Sequence, residues 1–314
     1  MQILSRTQTS IISSCYQIAG LWCKIDFPRK VSFENLLTSS EPFRRDVNKI
    51  DGFVCKIVVS EDCFKEDISS FHLLSEVKGV LGECLLLYEN EFAYITIISY
   101  EEGKYKYAMI SNKDFSDSTV YLKLDDSSAG EALTSFFMVA FSQMAVAHQT
   151  VLIHASVVEK ENLGFAFLGK SGTGKSTHSS LWLRYIGGTK LLNDDNPAVQ
   201  VDSEGNIFIY GTPWSGKTPC YTNRKVELAA IVRLNQAPEN RISEARGLDA
   251  MIALLPSCSS LRWNDHLYSS LCDVLEMIID KIPVCVLKCL PNQDAAEICF
   301  GEIKKLRLKQ TLIK

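Results

Sequence analysis

Leu163-Gly-Phe-Ala-Phe-Leu168, Gly169-Lys-Ser-Gly-Thr-Gly-Lys-Ser-Thr177 and His178-Ser-Ser-Leu-Trp-Leu-Arg-Tyr-Ile186 follow one another without a break. The first stretch is a short apolar run with aromatic residues and reads as a buried strand. The last reads as a helix, ended by Gly187-Gly188. The nine residues between them fit G-x-x-x-x-G-K-[ST] at every fixed position. Gly172 and Gly174 let the backbone turn its N–H groups inward around an anion with no Cβ in the way. The positive end of the helix dipole then faces that anion. Gly169, Ser171, Gly172, Thr173, Gly174, Lys175, Ser176 and Thr177 are therefore the expected phosphate-binding residues. Lys175 reaches the β- and γ-phosphates, and the Ser176 hydroxyl is an expected Mg²⁺ ligand. A glycine-rich turn that matches by chance is the alternative, and the strand–loop–helix order argues against it. The chain is expected to bind a nucleoside triphosphate.

Working outward, 314 residues suggest two domains. With 46% hydrophobic and 22% charged residues the composition is that of a globular protein. The net charge of −4 and the lack of a dense Lys/Arg block give no support for a nucleic-acid partner. No apolar run is read as a membrane span, and residues 1–10 lack the pattern of a secretion signal. Eleven cysteines, scattered through apolar segments without a C-x-x-C pair, read as free thiols in a reducing cytoplasm rather than as disulfides or a zinc site. Whether the chain forms a homo-oligomer is left open.

Residues 1–130 read as a smaller, mainly antiparallel β domain. Segments 52–60, 83–89, 92–100, 104–110 and 118–124 alternate as strands, several separated by short polar turns. Glu131 to about His148 reads as a broadly apolar helix, and residues 131–314 as the nucleotide-binding domain. There Val151–Val158 reads as one strand carrying His154, which is either a core histidine or a group delivered to the site. Asp194 and Asp195 close a strand at the edge where open α/β sheets place ligands. One can assist Mg²⁺ and the other can accept a hydroxyl proton; an Asx turn before Pro197 is the structural alternative. Gly211-Thr-Pro-Trp-Ser-Gly-Lys217 reads as a stiff loop whose Lys217 is a candidate for charge on the acceptor side. Beyond it, 226–234 and 283–290 read as strands, and 243–255, 263–281 and 294–306 as helices.

From about Leu152 to Lys305 the chain resembles the catalytic domain of HPr kinase/phosphorylase, a fold related to the nucleotide-binding core of phosphoenolpyruvate carboxykinase. The resemblance rests on the strand with His154, the hairpin into the glycine loop, the Asp194-Asp195 pair, Asn223–Leu228 before a strand and Lys281-Ile-Pro283 before the last one. It implies an α/β fold, a P-loop core of mixed sheet flanked by helices. It also implies that His154, Lys175, Asp194 and Asp195 surround a transferred phosphoryl group. Thr177 stands where the family commonly carries Glu, the family's glycine-rich signature before its mobile loop is replaced by 211–217, and the first 130 residues do not match. HPr itself is therefore not implied as substrate. The expected activity is ATP- and Mg²⁺-dependent phosphoryl transfer to a hydroxyl of a protein, peptide or small molecule. An ATPase or nucleotide switch without its own acceptor is the alternative, as is a protein that binds nucleotide without chemistry. Carboxykinase activity is disfavoured, because those enzymes are much longer and their acid-binding residues are not found here.

Overall fold

The computed structural model describes residues 11–29, 31–46, 52–78, 84–101, 104–216 and 218–313. Lys217 and residues 1–10 lie outside them. The chain divides into two compact α/β units, Met1–Met144 and Ala145–Lys314, each with a large mixed sheet.

In the first unit, β1 (Ile12–Ile18) and β2 (Leu21–Phe27) form a hairpin. Its two turn residues, Ala19 and Gly20, both have positive φ (48° and 79°), the backbone that matches strand twist in a tight turn. A short helix α1 (Phe33–Leu36) and β3 (Arg44–Arg45) precede β4 (Cys55–Ser60). Then β5 (His72–Lys78), β6 (Cys84–Glu89), β7 (Ala93–Glu101), β8 (Lys104–Asn112) and β9 (Asp117–Tyr121) make an antiparallel meander. The sheet is not antiparallel throughout, since β4 runs parallel to both β2 and β9.

Helix α2 (Ala129–Met144) belongs to this unit, so the division falls after Met144 and not at residue 130. Packing gives the reason. Phe137 packs in a tilted ring contact on Tyr16 of β1 at 5.7 Å, and Gly130 lies so close to the Leu36 carbonyl that a Cβ would sit 2.7 Å from it. One window within Ala129–His148 has mean hydropathy 1.2 and is long and apolar enough to cross a membrane, which corrects the sequence reading; 67% of it is buried inside the structure. A core helix buried on most sides carries the same composition as a span.

In the second unit, β10 (Thr150–Leu152), β11 (Ala155–Lys160) and β12 (Leu163–Leu168) precede α3 (Lys175–Tyr185). Next come β13 (Lys190–Asp195), β14 (Ala198–Val201), β15 (Ile207–Tyr210) and the long β16 (Lys225–Gln236). β17 (Arg241–Ala245), α4 (Leu248–Leu254), α5 (Asp265–Lys281), β18 (Val284–Cys289) and α6 (Gln293–Ile313) complete it. The stretch expected as a helix from 243 begins instead as β17, paired antiparallel with β18; Gly247, at φ 51°, separates it from α4.

Alternation along the strands feeds two cores. Ala166 and Leu168 of β12 face one that includes Leu271, Val274 and Ile278 of α5. Phe165 and Phe167 face the other, with Trp182 of α3 and Cys299 and Ile303 of α6. The sheet is thus covered by helices on both faces. Trp182 lies 4.9 Å from Phe165, 5.3 Å from Phe167 and 5.5 Å from Phe300 by ring centroids. This cluster fixes α3, and with it the end of the glycine loop, against the sheet. All eleven cysteines are free.

Trp182→Ala is expected to destabilise this unit by about 3–5 kcal/mol. Leu183→Ala, one residue on and 42% exposed, should cost about 0.5 kcal/mol or less. Hydrogen-exchange protection of β12 and β16 reads the difference; similar losses for the two variants would contradict the packing account.

Candidate functional site

One edge of the second sheet brings His154, the glycine loop, Asp194 and Asp195 together. β12, β16 and β18 run parallel, with Leu168 opposite Arg233 and Gln236 opposite Cys289, so their C-terminal ends lie together. β11 runs antiparallel between β12 and β13, and Ala155 pairs with both Leu168 and Asp195. The start of β11 and the end of β13 therefore reach the same edge. Crevices beyond the carboxyl ends of strands are where open α/β sheets bind ligands.

The strand expected over 151–158 is broken in the middle. β10 pairs with β14 while β11 pairs with β12 and β13, and Ile153-His154 is the step between them. The step is held by a neighbouring segment. The His154 N–H donates to the Ser257 carbonyl (2.6 Å), the Ser259 N–H donates to the Leu152 carbonyl (3.0 Å), and Ile153 bridges to Cys258. Released from the ladder, the His154 side chain turns to the edge, where it is 46% exposed with Nε2 3.2 Å from Asp195 Oδ1.

Consecutive residues at a strand end face opposite ways, and Asp194 and Asp195 do so. Asp194 is buried and its Oδ1 accepts a hydrogen bond from Ser176 Oγ at 3.0 Å. Asp195 faces His154 and accepts from Asn196 Nδ2 at 2.9 Å. Its φ is 151°, a conformation L-residues rarely adopt, of the kind that clusters at functional sites. The loop from Gly211 braces the pair. The Gly216 N–H donates to the Asp194 carbonyl (2.5 Å), the Asn196 N–H to the Trp214 carbonyl (3.3 Å), and Thr212 Oγ1 to the Asn196 carbonyl (2.7 Å). A Cβ on Gly211 would meet the Thr222 carbonyl oxygen at 2.1 Å, so the loop takes only glycine there. It ends next to Lys217, whose position is not described.

The glycine loop turns through Gly172 (φ 79°) and Gly174 (φ 103°). The His178 N–H donates to the Gly174 carbonyl at 2.8 Å, opening α3. Lys175 Nζ folds back to the Gly169 carbonyl at 3.2 Å. Ser156 of β11 and Ser179 of α3 share a buried hydrogen bond of 2.6 Å, which locks the helix to the strand that follows His154. Ser171, Ser176 and Thr177 are exposed, with Thr173 half-buried beside Gly169.

The electrostatics follow from this crowding. Burial lowers the His154 pKa and the Lys175 ammonium lowers it further, against the two aspartates. Burial raises that of Asp195, opposed by His154 and Lys175. Burial also lowers that of Lys175, with both aspartates opposing. His154 Nε2 and Asp195 Oδ1 thus sit 3.2 Å apart, with burial acting against charge on both groups. Among the described residues no group of three or more His, Cys, Asp or Glu side chains is placed to hold a metal. The hard oxygens at the edge are the Ser176 hydroxyl and the Asp194 and Asp195 carboxylates, of which Ser176 and Asp194 touch one another.

The sequence marks 211–217 as a functional loop, but not the bracing roles of Thr212, Asn196 and Gly216, nor the segment 257–259 that holds the His154 step. Each of these contacts ends on a backbone group, and residue type carries little trace of them.

No protein-family model matches the chain, and no curated protein matches it in sequence. Among solved structures it is similar to the Hpr(Ser) kinase/phosphatase from Coxiella burnetii. The match has 13% identity and a TM-score of 0.31, and covers 51% of this chain and 92% of that one. At that level it carries no argument about activity.

His154 is expected to titrate below the ordinary imidazole value of about 6.5. The unfolded chain then takes up the proton first as pH falls, so this group withdraws stability on the acid side. Lys175→Met should raise the His154 pKa, because it removes a positive neighbour. Asp195→Asn should lower it. Imidazole NMR titration without nucleotide or divalent metal reads all three, and a shift of either variant in the opposite sense would contradict the geometry.

Proposed function

We propose that the second unit is a P-loop phosphotransferase of the HPr-kinase-like kind. It would use ATP and Mg²⁺ to phosphorylate a hydroxyl group on a protein, peptide or small molecule. The observation that carries the reading is the splitting of the aspartate pair. One carboxylate accepts from the hydroxyl that follows the loop lysine, and the other lies against His154, at one sheet edge.

The loop amides of 169–177 and the Lys175 ammonium would hold the phosphates. Ser176 and Asp194 fit Mg²⁺, which takes one or two protein oxygens and keeps several waters. When bound, Mg²⁺ would neutralise charge on the phosphate oxygens. The acceptor hydroxyl forms its new bond to the γ-phosphorus as the bond to the ADP oxygen breaks. Asp195 takes the hydroxyl proton, and its raised basicity from burial suits it to do so. Asn196 Nδ2 donates to Asp195 Oδ2, and His154 Nε2 lies 3.2 Å from Oδ1, so both neighbours position the carboxylate. Lys175 meets the charge that develops on the leaving oxygen. Lys217 would add positive charge on the acceptor side, since its loop runs beside Asp194 and Asp195. The free thiols support a reducing compartment such as the cytoplasm.

Lys175→Ala removes a charge-assisted contact worth about 1.5–3 kcal/mol, which corresponds to a roughly ten- to hundredfold loss of ATP·Mg²⁺ affinity in calorimetric titration. Unchanged affinity would contradict the assignment. With γ-labelled ATP and fractionated lysate, the label should move to a phosphorylated product. Release of labelled phosphate alone would favour an ATPase or switch instead.

A further inference from the structure

Resting on that nucleotide reading, we infer that the nucleobase lies in a cavity on the far side of the glycine loop from Asp195, where Gln236 selects adenine. The order of elements along the sheet edge gives the direction. β13 and the start of β11 carry Asp194, Asp195 and His154 on one side of β12 and its loop. β16 and β18 lie on the other. A triphosphate seated on the loop with its reacting end at Asp195 must extend its nucleoside end toward β16 and β18.

A cavity of about 530 Å³ opens there, within the range of small-molecule sites. It begins at Gly172–Gly174 of the loop and is walled by Leu181, Leu234, Ala237, Leu290 and Pro291, with Gln236 at the loop side. Among the described residues no Asp, Glu, Lys or Arg side chain lines it. His178, which also lines it, has its Nε2 engaged, accepting from Trp182 Nε1 at 3.1 Å. Apolar walls without charge suit a flat, neutral heterocycle, not a second anion.

Gln236 supplies the polar readout. Its Nε2 points at the Gly172 and Thr173 carbonyls, 3.4 Å from each. With Nε2 directed to those carbonyls, Oε1 is the amide atom left to accept, at a residue that lines the cavity. An acceptor at that place pairs with the exocyclic amino group of adenine and opposes the carbonyl of guanine. The glutamine thus links the loop that would hold phosphate to the surface that would read the base.

The test compares ATP, GTP and inorganic tripolyphosphate, each with Mg²⁺, on the full chain by calorimetry. The wild type should bind ATP tighter than GTP and tighter than tripolyphosphate. Gln236→Ala should lose roughly two- to tenfold in ATP affinity and most of its ATP-over-GTP preference. Leu290→Ala, at a side chain 39% exposed and so tolerant of change, should weaken ATP and GTP together. Neither variant should alter tripolyphosphate binding. The inference is overturned if ATP binds no tighter than tripolyphosphate, or if the variants weaken all three alike. Failure of the wild type to bind any of them overturns the nucleotide reading, and this inference with it.

Discussion

The alternation of two neighbouring side chains at the end of β13 is the constraint on which the site depends. A strand sends consecutive residues to opposite sides, so Asp194 and Asp195 make different direct contacts. One meets Ser176 and the other meets His154. That arrangement survives only while β11, β12 and β13 keep their register, because Ala155 sits opposite both Leu168 and Asp195. A slip of one residue would exchange the two carboxylates. The buried Ser156–Ser179 bond and the Trp182 cluster hold the helix side of the same frame.

The break at His154 belongs to that frame. A continuous strand would have left the histidine in the ladder, with its backbone groups committed to neighbours on both sides. The step at Ile153-His154 instead assigns its N–H to Ser257 and frees the imidazole for Asp195. The unusual φ of Asp195 is the matching irregularity on β13. Two local departures from regular sheet, each held by hydrogen bonds from a separate loop, bring Asp195 and His154 together.

Much of this was legible in the sequence where the chemistry is local. The apolar run 163–168, the glycines at 172 and 174 and the helical stretch from 178 are short-range signals, and the structure has a strand, positive φ and a helix there. The meander from 84 to 121 was readable from alternation and polar turns. The hairpin at 12–27 was not read, because its turn is Ala19-Gly20 and lacks an Asn or Asp signal. β17 was taken for helix because its partner, β18, is about forty residues away. The bracing of Asp194 by Gly216, and the placement of Gln236 beside Gly172, depend on strand order, which no single segment encodes.

The central claim is that Asp194 serves the metal side and Asp195 the acceptor side. The direct measurement is the Mg²⁺ dependence of phosphoryl transfer, with ATP affinity alongside, for Asp194→Asn and Asp195→Asn. Each change keeps the shape and removes the charge. Asp194→Asn should raise the Mg²⁺ concentration needed for half-maximal rate. Asp195→Asn should leave Mg²⁺·ATP binding nearly intact and lower the rate of transfer by roughly 10²–10⁴-fold. Equal effects of the two substitutions on metal dependence, or no loss of turnover in either, would contradict the account.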